Sequence, residues 1–248
     1  MMISRALSHK LMVLAEKYET PDFIDDDPSR FMWRYHSAED REVAAFISAS
    51  LALGRRPAIL AKLEYIFGLA GSSPSRWLLN RGYEEYFSED ETKFYRFFSN
   101  SDMLHFFHAL RHLLAEHGSI GCYFRIQYEQ RGIEPLDAIT TYFSLWHVGT
   151  LIPKNTKSLC KRLNMLLRWL VRTGSPVDMG LWSWFPASKL IIPVDTHVAH
   201  QALRMGIVSK TGSTMKTALE ITDAMREIWP DDPCRGDFAL FGTGVNAL

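Results

Sequence analysis

Apolar residues recur at spacings of three and four along nearly the whole chain, and no stretch of good period-two alternation interrupts them. The pattern predicts an all-α protein of roughly ten or eleven helices. The first helix fits residues 4–18, and a Pro-bounded loop with an acidic cluster (PDFIDDDPSRF) follows it. Ser37 with Asp40 three positions on reads as a capping box that opens a long apolar helix, for which Gly54 offers a stop. Pro57 suits the first turn of the next helix, over 58–70, and Pro74 that of a short one to about Arg81. Further helices fit 89–98, 101–117, 119–131 and 135–146. Residues 158–172 are amphipathic, with Leu159, Leu163, Leu166, Leu167 and Leu170 on one side. The Gly-, Pro- and Trp-rich stretch 173–192 reads as irregular. Helices return at 195–205 (closed by Gly206), at 213–229, and from about Cys234. No fixed-period repeat and no linker divides the chain, so residues 1–248 are expected as one compact helical unit or two interleaved helical lobes.

Composition narrows the class. The 248 residues are 47% hydrophobic and 23% charged, which excludes disordered and fibrous readings. The longest charge-free stretch, 138–153, contains His147 and Pro153 and falls short of the roughly 20 apolar residues of a membrane helix. The first twenty residues show no secretory signal pattern, so a soluble, cytoplasmic protein without a membrane partner is expected. Three widely spaced cysteines (Cys122, Cys160, Cys234) fit neither a disulfide framework nor a zinc or iron–sulfur site, and no cofactor is implied. Asp25, Asp26 and Asp27 lack EF-hand spacing and read as a cap for the next segment rather than a metal site.

Charge is balanced overall, with 28 basic and 28 acidic residues, but not along the chain. Residues 154–172 carry Lys154, Lys157, Lys161, Arg162, Arg168 and Arg172 and no acid. Such a stripe suits a polyanion docked at one place, or else is simply a solvated helix face.

The candidate chemistry centres on PVDTHV at 193–198. An Asp after an extended, β-branched lead is first of all a helix N-cap. A carboxylate pinned there and facing a cleft can also stay ionised and stabilise a developing cation. These residues resemble the V-D-T-H-[VI] string of the helix-hairpin-helix DNA glycosylases, the endonuclease III-like base-excision enzymes. A second similarity is KRLNMLL at 161–167, which matches that family's Lys-x-x-Asn and three apolar residues after the hairpin. A third, weaker one is REVAAFISASLALGRRPAILAKLEYIF at 41–67. The chain also resembles, over nearly its whole length, an uncharacterised bacterial family of helical proteins known only as a domain of unknown function (DUF2400), through FIDDDP, CKRLNMLLRWLVR and DFALFGTGV.

The glycosylase resemblance implies a compact helix-hairpin-helix fold, a partner in duplex DNA carrying a damaged base, Asp195 as the essential carboxylate and Lys161 as the Schiff-base nucleophile. It departs from this chain in three ways. The glycine-rich hairpin becomes HVGTLIPKNTKSLCK, an atypical hairpin over about 147–172 where Lys154, Asn155 and Lys157 stand in for backbone contacts. Lys161 precedes Asp195 by 34 positions, so 173–190 must loop out as an insertion. The four-Cys cluster of endonuclease III is absent.

A flipped base needs apolar or aromatic walls. Trp146, His147, Trp182 and Trp184 are candidates, with Asn164 and His197 beside the two catalytic candidates; core packing is the alternative for each aromatic. Arg55, Arg56 and Arg162 join Lys154, Asn155 and Lys157 as candidate DNA contacts. Three functions stay open: a base-excision glycosylase with or without lyase activity, a helix-hairpin-helix protein that binds nucleic acid without catalysis, and a helical scaffold without nucleic acid. The sequence assigns no oligomeric state.

Overall fold

The computed structural model describes residues 3–245. Among them eleven α-helices form: α1 (Arg5–Tyr18), α2 (Ala38–Leu51), α3 (Arg56–Ala70), α4 (Pro74–Leu79), α5 (Asn100–His117), α6 (Ile120–Arg131), α7 (Pro135–Ser144), α8 (Lys161–Val171), α9 (Thr196–Arg204), α10 (Met215–Arg226) and α11 (Arg235–Val245). The all-α class stands. Among the described residues, no helix is long and apolar enough to cross a membrane. The chain forms two compact units, one from Met1–Asp25 with Thr156–Leu248, the other from Asp26–Asn155.

Two expected elements differ. The loop at 21–31 is largely two 3-10 segments, Pro21–Ile24 and Pro28–Arg34, the second capped by Asp27, whose carboxylate accepts from Ser29 N at 2.9 Å. Residues 89–98 form no helix but a short antiparallel pair, β1 (Lys93–Tyr95) and β2 (Phe98–Ser99). Asp90 explains the difference. Its carboxylate accepts from Ser88 Oγ at 2.6 Å, Thr92 N at 2.8 Å and Asn100 Nδ2 at 3.3 Å, tying a turn where a helix would have begun. These bonds hold its pKa down at about 2. Arg96, with φ +53°, then reverses the chain between the paired strands.

In the first unit α11 packs against both α1 and α9. The expected insertion does not loop out. Met179 N and Trp182 N donate to the carbonyls of Trp169 and Leu170 at 2.7 and 2.6 Å, so 173–182 folds back over the C-terminal turn of α8 and satisfies its orphan carbonyls. Gly180 makes the return possible: its φ is +61°, and a Cβ there would lie 2.9 Å from Arg172 O.

In the second unit an aromatic cluster links α2, α5, α6 and α7: Phe46 stacks on Phe124 at 6.0 Å and meets Phe143 at 6.1 Å, and Phe143 meets Phe106 at 5.6 Å. The start of α2 is only half a capping box. Ser37 Oγ accepts from Asp40 N at 3.1 Å, but the Asp40 carboxylate reaches outward to Ser75 N (2.8 Å), Ser75 Oγ (2.7 Å) and Ser73 Oγ (3.0 Å), clamping α2 to the N-terminus of α4. Burial pushes the Asp40 pKa up, but the hydrogen bonds from Ser75, Ser37 and Ser73 outweigh it and leave the carboxyl below its usual range. The complete capping box is at Ser99 and Asp102, opening α5.

Asp40→Ala should therefore destabilise the protein by about 2–4 kcal/mol, because it strands buried donors as well as removing charge-assisted bonds. Because the folded pKa is depressed, this stabilisation is present above the unfolded pKa near 4 and is lost as pH falls through the folded value. Urea denaturation of both proteins across pH 2–7 checks it: the gap should narrow toward low pH, and a constant gap contradicts the hydrogen-bond account.

Candidate functional site

The first unit holds the catalytic candidates. Residues 191–194 approach α9 without regular structure, anchored where Ile192 N donates to Thr222 Oγ1 at 3.1 Å, itself donating to Ala218 O within α10. This tether delivers Asp195 to the N-cap of α9, where Oδ1 accepts from Val198 N at 3.0 Å. Asp195 is half-buried, and among the described residues its other oxygen takes no hydrogen bond.

Lys161 is the first residue of α8, half-buried, with Cys160 before it in the left-handed conformation. Its ammonium lies 3.6 Å from Met165 Sδ and makes no ion pair within 4 Å among the described residues. Both Lys161 and Asp195 sit close enough to the buried carboxyl of Asp237, on α11, to act on it electrostatically: Asp195 raises its pKa and Lys161 lowers it. The two candidates therefore converge on one buried acid that the sequence reading did not single out. Asp237 falls inside the DFALFGTGV string, which in the sequence carries a family resemblance and no assigned role.

The basic stripe is not a stripe. Arg168 and Arg172 are buried inside the first unit. Arg168 Nε donates to Asp178 Oδ1 at 3.2 Å, and its Nη1 to Asp237 Oδ2. Arg172 meets Asp232 through Nε at 2.9 and 3.0 Å, Glu19 through Nη2 at 2.7 Å, and Asp178 through Nη1. Arg235 adds a contact to Glu19 at 3.5 Å. The carboxylates around Arg172 hold its guanidinium firmly charged against the desolvation that burial imposes. Acids distant in sequence neutralise these cations, so they offer no polyanion surface. Burial also lowers the half-buried Arg162, to about 10, which leaves it charged at neutral pH.

The other candidates divide. Asn164 is 1% exposed and spends its amide on Leu159 O at 3.0 Å, so it fixes the entry to α8 rather than facing a substrate. Trp182, 1% exposed, is core rather than a pocket wall; it stacks on the half-buried Trp184 at 5.2 Å. His197 is half-buried on the first turn of α9, and Lys157 is exposed. The remaining candidates belong to the second unit. Arg55 caps α3 and is exposed, and Arg56 is half-buried. Lys154 and Asn155 are exposed, as is His147, which has φ +52°. Trp146 is half-buried against His112 at 5.2 Å. His147 and Lys154 line a cavity of about 380 Å³ with Phe143, Val148, Gly149 and Ile152. Gly149 is required there: its φ is +56°, and a Cβ would lie 2.2 Å from the Asp102 carboxylate.

Burial pushes the Asp237 pKa up to about 6, against the pull of Arg168. The folded value lies above the unfolded one near 3.9, so this carboxyl contributes stability that is full below pH 4 and lost as pH rises through 6. Relative to Asp237→Asn, the wild type should lose up to about 3 kcal/mol between pH 4 and pH 7. Denaturation curves of the pair measure this, and a difference that stays flat with pH contradicts a raised Asp237.

No curated protein and no solved structure matches the chain. The family described as a protein of unknown function, DUF2400, matches residues 27–246. The chain belongs to that family.

Proposed function

We propose that the protein is a base-excision DNA glycosylase in which Asp195 and Lys161 act together at the sugar of a damaged nucleotide. The supporting observation is their convergence: among the described residues, a helix-capping carboxylate with one oxygen that takes no hydrogen bond and an amine without an ion pair both act electrostatically on Asp237. Glycosidic cleavage needs a stabilised cation, and the Schiff-base route needs an amine nucleophile as well. As the C1′–N bond breaks, its electron pair leaves with the base, which takes up a proton, and C1′ becomes oxocarbenium-like. A fixed carboxylate stabilises that charge. The Lys161 amine, once it has shed its proton, adds to C1′; a proton then passes from its nitrogen to O4′ as the C1′–O4′ bond breaks, which opens the ring and leaves the protonated imine. Asp237 and the Arg168–Arg172 pairs beneath hold α8 in place for that attack.

The non-catalytic reading has one observation of its own: Arg168 and Arg172 are consumed internally, which thins the cationic surface left for DNA. Single-turnover base release on a panel of damaged duplexes, with borohydride trapping, separates the two. The wild type should release a base. Asp195→Asn keeps much of the cap, so it should cost about 1 kcal/mol of stability. The same variant should lower the rate by roughly 10²–10⁴ while DNA binding persists. Lys161→Ala should abolish the trapped adduct. Adduct at wild-type level in Lys161→Ala removes that residue as nucleophile, and tight binding without base release by the wild type overturns the glycosylase in favour of the binding protein.

A further inference from the structure

The β1–β2 hairpin belongs to the unit of Asp26–Asn155 and takes no part in the chemistry proposed above. Its turn is two residues long: Tyr95 pairs with Phe98, and Arg96 and Phe97 join them. Tyr95 and Phe98 are buried, which anchors the pair inward. Arg96 is exposed, and Phe97 is 70% exposed.

Folding does not call for these two residues at the turn. Arg96 is left-handed, with φ +53°, a conformation that glycine or asparagine adopts more easily than arginine. Phe97 leaves most of its ring in water, where it adds little to stability. Asn-Gly would make an easier two-residue turn, so a strained cation beside an exposed ring indicates a use outside the fold. The turn is also held firmly. Tyr95 Oη donates to Leu53 O at 2.8 Å, and Phe94 packs edge-on to Phe87 at 5.1 Å, with the Lys62 ammonium of α3 4.5 Å from its ring. Arg96 lies against the connection between α2 and α3: its Cδ and Nη1 are 3.0 and 3.1 Å from where a Cβ on Gly54 would stand. Its guanidinium is 5.5 Å from the centre of the Phe97 ring. Arg55, the residue after Gly54, is exposed. Unlike Arg168 and Arg172, Arg55 and Arg96 have no acidic partner among the described residues. The segments that carry them, 43–63 and 92–100, contain no acid.

We infer that this turn is a stacking platform for single-stranded DNA, with Phe97 beneath an unpaired base and Arg96 and Arg55 on the phosphates beside it. An exposed ring on a rigid turn stacks on a base whose face is free, and the bases inside an intact duplex have no free face. The unpaired guanidinium groups supply the charge that a phosphate backbone needs. The inference rests on the DNA partner proposed above and on no step of the glycosidic chemistry.

Fluorescence anisotropy of the full chain with a short labelled oligonucleotide, single-stranded and as the paired duplex, tests the inference. Phe97→Ala should melt with the wild type and weaken single-strand binding about five- to a hundredfold, while duplex binding changes less than about twofold. Phe97→Trp should keep the single-strand affinity, and its added indole emission should be quenched when the strand binds. Arg96→Gly should melt no lower than wild type, because glycine suits that φ, yet bind the strand more weakly and lower the magnitude of its salt slope by about 0.7. Equal wild-type affinity for strand and duplex, no single-strand binding, or unchanged single-strand affinity in Phe97→Ala overturns the inference. Base release from damaged duplexes is scored separately: release without a single-strand preference overturns this inference and leaves the glycosylase standing, and a Phe97-dependent single-strand preference without release does the reverse.

Discussion

Two arginines four positions apart, Arg168 on α8 and Arg172 at its C-cap, are the interaction on which the first unit depends. Arg168 and Arg172 each share Asp178, and between them they gather Glu19 from the residue after α1, Asp232 from the turn before α11 and Asp237 from α11 itself. With Arg235, three guanidinium groups face four carboxyls in a largely buried cluster. Desolvating such charges costs several kcal/mol each, and only mutual pairing with complete hydrogen bonding offsets it. The stability gained over an apolar core is small. Removing one partner, however, leaves a buried charge uncompensated, so the first and last segments of the chain and the 173–182 return are committed to a single arrangement around α8.

That arrangement sorts the cations of one helix by depth. Lys161, at the first position of α8, stays outside the cluster, its amine 3.6 Å from the Met165 thioether; Arg168 and Arg172, two and three turns further on, are spent inside. Asp237 joins the two regions. It pairs with Arg168 on one side and responds to Lys161 and Asp195 on the other, so the candidate chemistry rests directly on the structural core.

Local signals were legible in the sequence because their causes are local. Asp195 as an N-cap, Pro57 and Pro74 in first turns and the amphipathic face of α8 all follow from residues within one or two turns. The buried cluster was not legible, because Glu19, Asp232 and Asp237 lie 60 or more positions from the arginine each one meets. A run of bases without acids therefore resembled a surface. The segment 89–98 misled for a subtler reason: its apolar spacing fits a helix, but Asp90 captures the donors that a helix would have used.

The central claim is that the α8 arginines are internal counterions rather than a nucleic-acid surface, and a double-mutant cycle on Arg172 and Asp178 tests it most directly. Arg172→Met, Asp178→Asn and the double variant are compared by urea denaturation at pH 7, in low salt and in 1 M salt. Buried pairing predicts that each single change costs about 3–5 kcal/mol, that the double change costs well under their sum, and that the coupling survives high salt. Costs that add to within about 0.5 kcal/mol, or a coupling that salt abolishes, would contradict the account.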